Sequence, residues 1–249
     1  MNYTIQTKLS VNLNKVALLR NQRDVGYPSV VESAEIVIAA GAHGITVHPR
    51  PDERHIRRTD VYELRELLDH GQYDATEFNI EGNPTPEFLQ LVNEIRPHQV
   101  TLVPDSPDQR TSDHGWDFDL DGERLTPIVN DLQNAGMRVS LFVDPSIESV
   151  EGAHATGAQR IELYTEPYAA AFAQGAYKKS LADYAQCATR ADELSLGVNA
   201  GHDLTIANTS VLRAAIPNLA EVSIGHAITA DALRVGFPQA VRAYLAALE

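Results

Sequence analysis

Short β-branched runs, each followed by a segment with helical periodicity, recur eight times along the 249 residues, and no other feature narrows the fold as far. Strands are expected at Leu9–Asn14, Gly44–His48, Thr76–Glu81, Gln99–Pro104, Arg138–Asp144, Arg160–Thr165, Gly197–Ala200 and Glu221–Gly225. Helices are expected at Val30–Ala40, Val61–Leu68, Pro86–Ile95, Arg124–Ala135, Ile147–Ala155, Lys179–Ser195, Ile206–Ala215 and Ala230–Leu248. Their apolar residues fall three and four apart, as one buried face requires. Gly41, Gly136, Gly157 and Leu196-Gly197 sit where a helix ends and a strand begins, the place for a left-handed terminator. Thr85, before Pro86, and Asp60 read as helix starts. Strand–helix alternation without a change of composition predicts one parallel sheet. Eight such units in about 250 residues predict a closed (β/α)8 TIM barrel spanning 1–249 as a single domain. An open doubly wound sheet is the alternative, because periodicity does not reveal closure.

Charge narrows the partners. Lys plus Arg number 20 against 34 Asp plus Glu, a net −14, so a nucleic acid, which needs a basic face, is not expected. Small phosphorylated substrates need only a few local donors. The single cysteine, Cys187, excludes an internal disulfide framework and a multi-cysteine zinc site, and lies in a helical stretch as a packed thiol. The first residues lack the pattern of a signal peptide, and no apolar run approaches the roughly 18 residues of a membrane span. A cytoplasmic protein with no membrane partner is expected.

In a barrel the chemistry gathers at the C-terminal ends of strands. Those ends carry Asn12, Asn14 and Lys15; then His48 and Arg50; then Glu81; later Gly201, His202 and Asp203; and lastly Gly225 and His226. Arg50 and His55 stand near a strand end in the densest cationic stretch, where a guanidinium fork and an imidazole would clamp a phosphate. Arg57 and Arg58 read as solvated surface, and Arg20 and Arg23 as two further donors after the first strand. The two Gly-His pairs follow the seventh and eighth strands, where barrels often hold a phosphate on backbone N–H groups. Residues 105–122, with the only Trp, Trp116, read as a lid loop. Residues 166–177, with Tyr168 and Tyr177, are expected to cover the barrel or join subunits.

Taken together, the segments at 11–23 (Val-Asn-Leu-Asn-Lys-Val-Ala-Leu-Leu-Arg-Asn-Gln-Arg), 44–56 (Gly-Ile-Thr-Val-His-Pro-Arg-Pro-Asp-Glu-Arg-His-Ile), 198–202 (Val-Asn-Ala-Gly-His) and 224–227 (Ile-Gly-His-Ala) resemble the pyridoxine 5′-phosphate synthase family. Leu-Val-Pro (102–104) and Ser-Leu-Phe-Val-Asp (140–144) add to the likeness, which runs from about residue 9 to the C-terminus. The resemblance implies a (β/α)8 barrel with extra helices, assembled as a homo-octamer. It implies condensation of 1-deoxy-D-xylulose 5-phosphate with 3-amino-2-oxopropyl phosphate, without metal or organic cofactor. By motif position, His48 would be a general base, Glu81 a second acid/base and His202 the general acid. Asn12, Arg23, Gly225 and His226 would bind the aminoketone phosphate; Arg50, His55 and Thr111 would bind the pentulose phosphate.

Three positions depart from the more familiar family pattern, in two places. Asn14 and Lys15 replace Asp and His, and would touch the pentulose phosphate; Lys15 as a Schiff-base nucleophile is a further reading. Asp203 stands where Gly is common, with its backbone N–H still able to meet a phosphate. Two other functions remain beside this one: a divalent-metal barrel enzyme using His48, Glu81, His202 and His226, and a non-catalytic phosphate-ligand protein.

Overall fold

The computed structural model describes residues 6–106 and 108–249. Eight strands, β1 (Lys8–Asn12), β2 (Gly44–Val47), β3 (Glu77–Gly82), β4 (Gln99–Leu102), β5 (Arg138–Val143), β6 (Arg160–Tyr164), β7 (Gly197–Gly201) and β8 (Leu219–Ile224), pair in chain order. All pairings are parallel and β8 returns to β1, so the sheet is a closed barrel and the open-sheet alternative falls. Around it lie α1 (Asn14–Arg20), α2 (Val30–Ala39), α3 (Arg58–Leu68), α4 (Pro86–Ile95), α5 (Phe118–Asn134), α6 (Ile147–Ala155), α7 (Glu166–Ala173), α8 (Lys178–Glu193), α9 (Ile206–Ala215), α10 (His226–Val235) and α11 (Phe237–Ala247). No described helix is long and apolar enough to cross a membrane.

Two-residue alternation along each strand sorts the side chains. Leu9, Val11, Ile45, Val47, Phe78 and Ile80 are fully buried between strands and helices. Each such side chain contributes about 1.5–3 kcal/mol by leaving water. The alternate residues face the barrel axis and are mostly polar, with Phe142 of β5 an apolar exception at the mouth. Ser10 Oγ meets Thr46 Oγ1 at 2.7 Å, Thr101 donates to Asn79 Oδ1 at 3.0 Å, and Asn199 reaches Gln99 Oε1 at 3.4 Å from the far side. Below them Arg160 holds Asn199 (2.9 Å) and Glu221 (3.1 Å), while Arg138 holds Gln99 (2.9 Å) and Glu77. The apolar core is therefore a ring outside the sheet, and the barrel's interior is a hydrogen-bonded column beneath the mouth.

Several elements differ from their expected bounds. The first strand stops at Asn12, because Asn14 opens α1, an element whose seven residues are too few to show a period. Asp60 lies three residues into α3, where its carboxylate accepts from the N–H of Arg57 at 2.7 Å. The last helix is two: Gly236 takes φ 80° and Pro238 enters the first turn of α11, breaking one apolar stripe. α5 begins at Phe118 on the N-cap of Asp117, although Gly122 and Pro127 lower its helical signal, so the loop after β4 spans only 103–117. Residues 166–177 form α7 and a turn. There Tyr168 is buried, donates to the Asn208 carbonyl (2.8 Å) and packs against Tyr177, so the segment seals the wall between α8 and α9. α1, α7 and α10 each follow the C-terminal end of a strand, which adds three walls to the mouth. Cys187 is buried, and burial pushes its thiol up to about 11, as suits a packed residue.

Candidate active site

A cavity of about 340 Å³ opens at the C-terminal mouth of the barrel. All the candidate residues line it except Arg23: Asn12, Asn14, Lys15, His48, Arg50, His55, Glu81, Thr111, His202, Asp203, Gly225 and His226. Arg23 lies beyond α1 on an exposed turn, so this structure does not bring it to the site. Arg20 is not a phosphate donor either. It is buried and forked onto Asp60, with Nη2 2.9 Å from Oδ2 and 3.1 Å from the carbonyl of His55. Arg58 is at the surface as expected, paired with Glu94 at 2.9 Å.

The ends of β2 and β3 bring His48 and Glu81 together. His48 Nδ1 lies 4.0 Å from Glu81 Oε2. That is beyond hydrogen-bond reach, so a proton passes between them only through an inserted atom. Burial, helped by the charges of Arg50 and Arg54, holds the His48 imidazole well below its ordinary 6.5. It is neutral at physiological pH. Burial, with repulsion from Asp105 and Glu221, pushes Glu81 up to about 8 against the hydrogen bond from Asn12 Nδ2 (3.3 Å). A neutral imidazole therefore faces a protonated carboxyl, two groups whose proton affinities are driven apart by their surroundings.

Asn14 makes uncharged hydrogen bonds at the ends of the first two strands. Its Oδ1 accepts from the backbone N–H of His48 at 2.9 Å, and its own N–H donates to Asn12 Oδ1 at 2.9 Å. An amide oxygen performs that acceptor task as a carboxylate would, so Asn in place of Asp leaves the support of His48 intact. Lys15, on the first turn of α1, reaches the cavity with no acidic residue in that turn. A cation at a helix N-terminus is locally unfavourable. Its place there is explained by what it faces.

Arg50 is buried, with Nη1 donating to the Gln109 carbonyl (2.6 Å) and Nη2 to Asp105. His55 Nδ1 accepts from the N–H of Ile56 at 2.9 Å, which leaves the proton on Nε2. Burial and the charges of Arg50 and Lys15 lower its pKa to about 4, so it serves as a neutral hydrogen-bond donor. Opposite, Gly225, His226 and Ala227 bring the first turn of α10 to the wall. A Cβ at Gly225 would come within 3.1 Å of Asn12.

After β7 the chain turns sharply. His202 and Asp203 take φ of 75° and 50°, left-handed values that carry about 1–3 kcal/mol each for a residue other than glycine. The hydroxyl of Thr165 donates to the carbonyls of Gly201 and His202 and holds the turn. A Cβ at Gly201 would stand 2.4 Å from Glu162 Oε1 and 3.1 Å from the Ser223 carbonyl oxygen, so a side chain there would displace the Glu162 carboxyl. Thr111, from the loop 103–117, meets His202 Nε2 at 2.8 Å. That loop is pinned at its far end by Trp116, whose Nε1 donates to the Leu102 carbonyl (2.9 Å), and by the Gly115 N–H on Asp144 Oδ1 (3.0 Å).

Reading only strand ends missed two buried acids. Glu162 points inward from the middle of β6, and burial with repulsion from Glu81 raises its pKa well above normal. A Glu within an apolar strand was the available signal. Asp105, just past β4, accepts from Arg50 and from Ser112 (2.9 Å) and lies 3.9 Å from His48 Nε2. Among the described residues no group of three or more His, Cys, Asp and Glu is placed to hold a metal ion.

The family described as pyridoxal phosphate biosynthesis protein PdxJ matches residues 9–249. A pyridoxine 5′-phosphate synthase of Albidiferax ferrireducens is 53% identical over 244 residues, covering 96% of each chain. One from Brucella abortus (strain S19) is 54% identical over 242 residues, covering 97% of this chain and 98% of the relative. Among solved structures, tryptophan synthase from M. tuberculosis, in a form with aminoacrylate and BRD0059 bound, superposes with a TM-score of 0.65. It covers 99% of this chain and 94% of its own at 13% identity, a likeness of fold alone.

Proposed function

The chain belongs to the PdxJ family of pyridoxal phosphate biosynthesis proteins, a family of enzymes, and from that premise we propose that its cavity forms pyridoxine 5′-phosphate. The substrates in this reading are 1-deoxy-D-xylulose 5-phosphate and 3-amino-2-oxopropyl phosphate; inorganic phosphate and water leave with the product. The reading extends to a homo-octamer in the cytoplasm that uses neither metal nor organic cofactor, as the resemblance implies. The observation that carries it is the neutral His48 beside the protonated Glu81, ringed by phosphate donors.

Lys15, Arg50, His55 and Thr111 hold the pentulose phosphate on one side. Asn12, Gly225 and His226 hold the aminoketone phosphate on the other, where the first turn of α10 offers N–H groups. Holding both substrates converts a bimolecular addition into an effectively intramolecular one. The amine adds to the pentulose carbonyl, and Glu81 gives its proton to the departing hydroxyl as the imine forms. His48 then removes a carbon-bound proton beside the imine, giving an enamine. A nucleophilic pentulose carbon then adds to the aminoketone carbonyl and closes the ring, while His202 supplies protons to the leaving oxygens as phosphate and water depart and the ring becomes aromatic. The loop carrying Thr111 keeps bulk water from the imine.

Mixing the protein with both substrates is expected to release pyridoxine 5′-phosphate and phosphate in equal amounts. No product above a control without enzyme overturns the reading. The pH profile of kcat/KM follows from the two shifts. His48 must be neutral, so activity rises through a pKa below 6.5; Glu81 must be protonated, so activity falls as it ionises near pH 8. A flat profile through pH 9 removes Glu81 as the acid.

A further inference from the structure

The carboxylate of Asp203 turns back onto the imidazole that precedes it, with Oδ2 2.9 Å from His202 Nδ1. The other edge of the ring, Nε2, lies 2.8 Å from Thr111 Oγ1 in the loop above the cavity. Tyr164 sets against the ring at a centroid distance of 5.9 Å and an interplanar angle of 64°. The Asn208 side chain donates to the Asp203 carbonyl at 3.3 Å, which fixes the turn from below. A glycine at 203 adopts φ 50° without strain. The chain instead carries a carboxylate in a left-handed conformation, so the side chain has a task that the turn does not impose. Asp203 also lines the catalytic cavity.

We propose that Asp203 is a positioning residue for the general acid: it fixes the tautomer and plane of His202, so that Nε2 is the atom presented to the lid and the substrate. An ionised carboxylate only accepts, so the Nδ1 facing Asp203 must carry a proton. In the neutral ring Nε2 is then bare and accepts from the Thr111 hydroxyl; once protonated it becomes the donor. Without Asp203 the ring is free to take the other tautomer or to flip, and Nδ1, turned toward the strand end, cannot serve the substrate. The same division of labour holds wherever a carboxylate orients a catalytic imidazole. This inference rests on the reading of His202 as general acid.

The test compares Asp203→Gly and Asp203→Asn with the unaltered protein, each labelled with 15N-histidine. His202 is assigned by difference against His202→Gln. Magic-angle-spinning NMR reads the tautomer directly and is insensitive to particle size. The unaltered protein is expected to show His202 protonated at Nδ1 when neutral. Glycine removes the acceptor while suiting the turn. Asparagine keeps the size but can turn either its oxygen or its nitrogen to the ring, so both variants lose the preference. In both, kcat falls on the order of tenfold with KM for each substrate unchanged. The effect is smaller than the ~10⁴-fold of a fully buried Asp–His pair, because the Asp203 side chain is 39% exposed. An unchanged tautomer in either variant, or asparagine behaving as the unaltered protein, overturns the proposal. A shifted tautomer with kcat unchanged upholds the positioning and instead removes His202 as the general acid.

Discussion

His202→Ala is expected to lower kcat by about 10²–10⁴-fold, the usual contribution of one positioned acid or base, while both substrates still bind. The imidazole closes the cavity on the side of the loop, held between Thr111, Asp203 and the Tyr164 ring. The donors assigned to the two phosphates, Lys15, Arg50, His55 and His226, lie on other elements and remain when the ring is removed. Binding energy and chemistry are thus carried by different groups, so the loss falls on kcat rather than KM. Single-turnover kinetics with calorimetric titration of each substrate measures both. Turnover within threefold of the unaltered protein removes His202 from the chemistry; lost binding with normal turnover makes it a binding residue.

Arg20→Ala is expected to destabilise the fold by about 3–5 kcal/mol, the effect of removing one partner of a buried ion pair. Arg20 is 7% and Asp60 3% exposed, so truncation leaves a carboxylate in the wall with little water to solvate it. That carboxylate still caps the start of α3 through the Arg57 N–H, and cannot turn out to solvent without releasing it. The His55 carbonyl keeps only the donor from Asn21 Nδ2 at 2.8 Å, so the turn that carries His55 to the cavity loosens too. For a chain of this size, about 2–4 °C of Tm is lost per kcal/mol. Arg20→Lys is not expected to restore it, because a point ammonium cannot fork onto Asp60 and reach His55 together. Thermal and urea unfolding at one protein concentration give the answer; a Tm within 2 °C of the unaltered protein rejects the buried pair as a structural support.

Much of the fold was legible because the eight barrel strands bury one face on helices, and that face is written as β-branched runs. α1 was not. It is short and its apolar residues merge with those of β1. α10 and α11 read as one stripe because apolar spacing continues across the break at Gly236. Strand-end residues led correctly to the mouth of the barrel, since all parallel strands finish on one rim. They could not locate Arg23, which leaves that rim along α1, nor reveal Glu162, which lies one inward position deeper on β6.

The negative charge divides in the same way. Glu63, Glu66, Asp69, Glu87, Asp183, Asp192 and Glu193 are exposed on or at the ends of outer helices, where water solvates them. Asp60, Glu81, Asp105, Glu162 and Glu221 are buried, and their partners come from strands and loops distant in sequence. Local pattern by itself determined the repeat, the parallel sheet and the strand ends on which the polar residues collect, because periodicity depends on neighbours a few positions away; closure into a barrel was decided by the β8–β1 pairing. Closure alone decided which carboxyl holds a proton, which imidazole stays neutral and which arginine is already occupied. Those properties are set by burial and by charges a few ångströms off, and only the tertiary structure brings Glu81 beside His48, Asp105 against Arg50 and Thr111 onto His202.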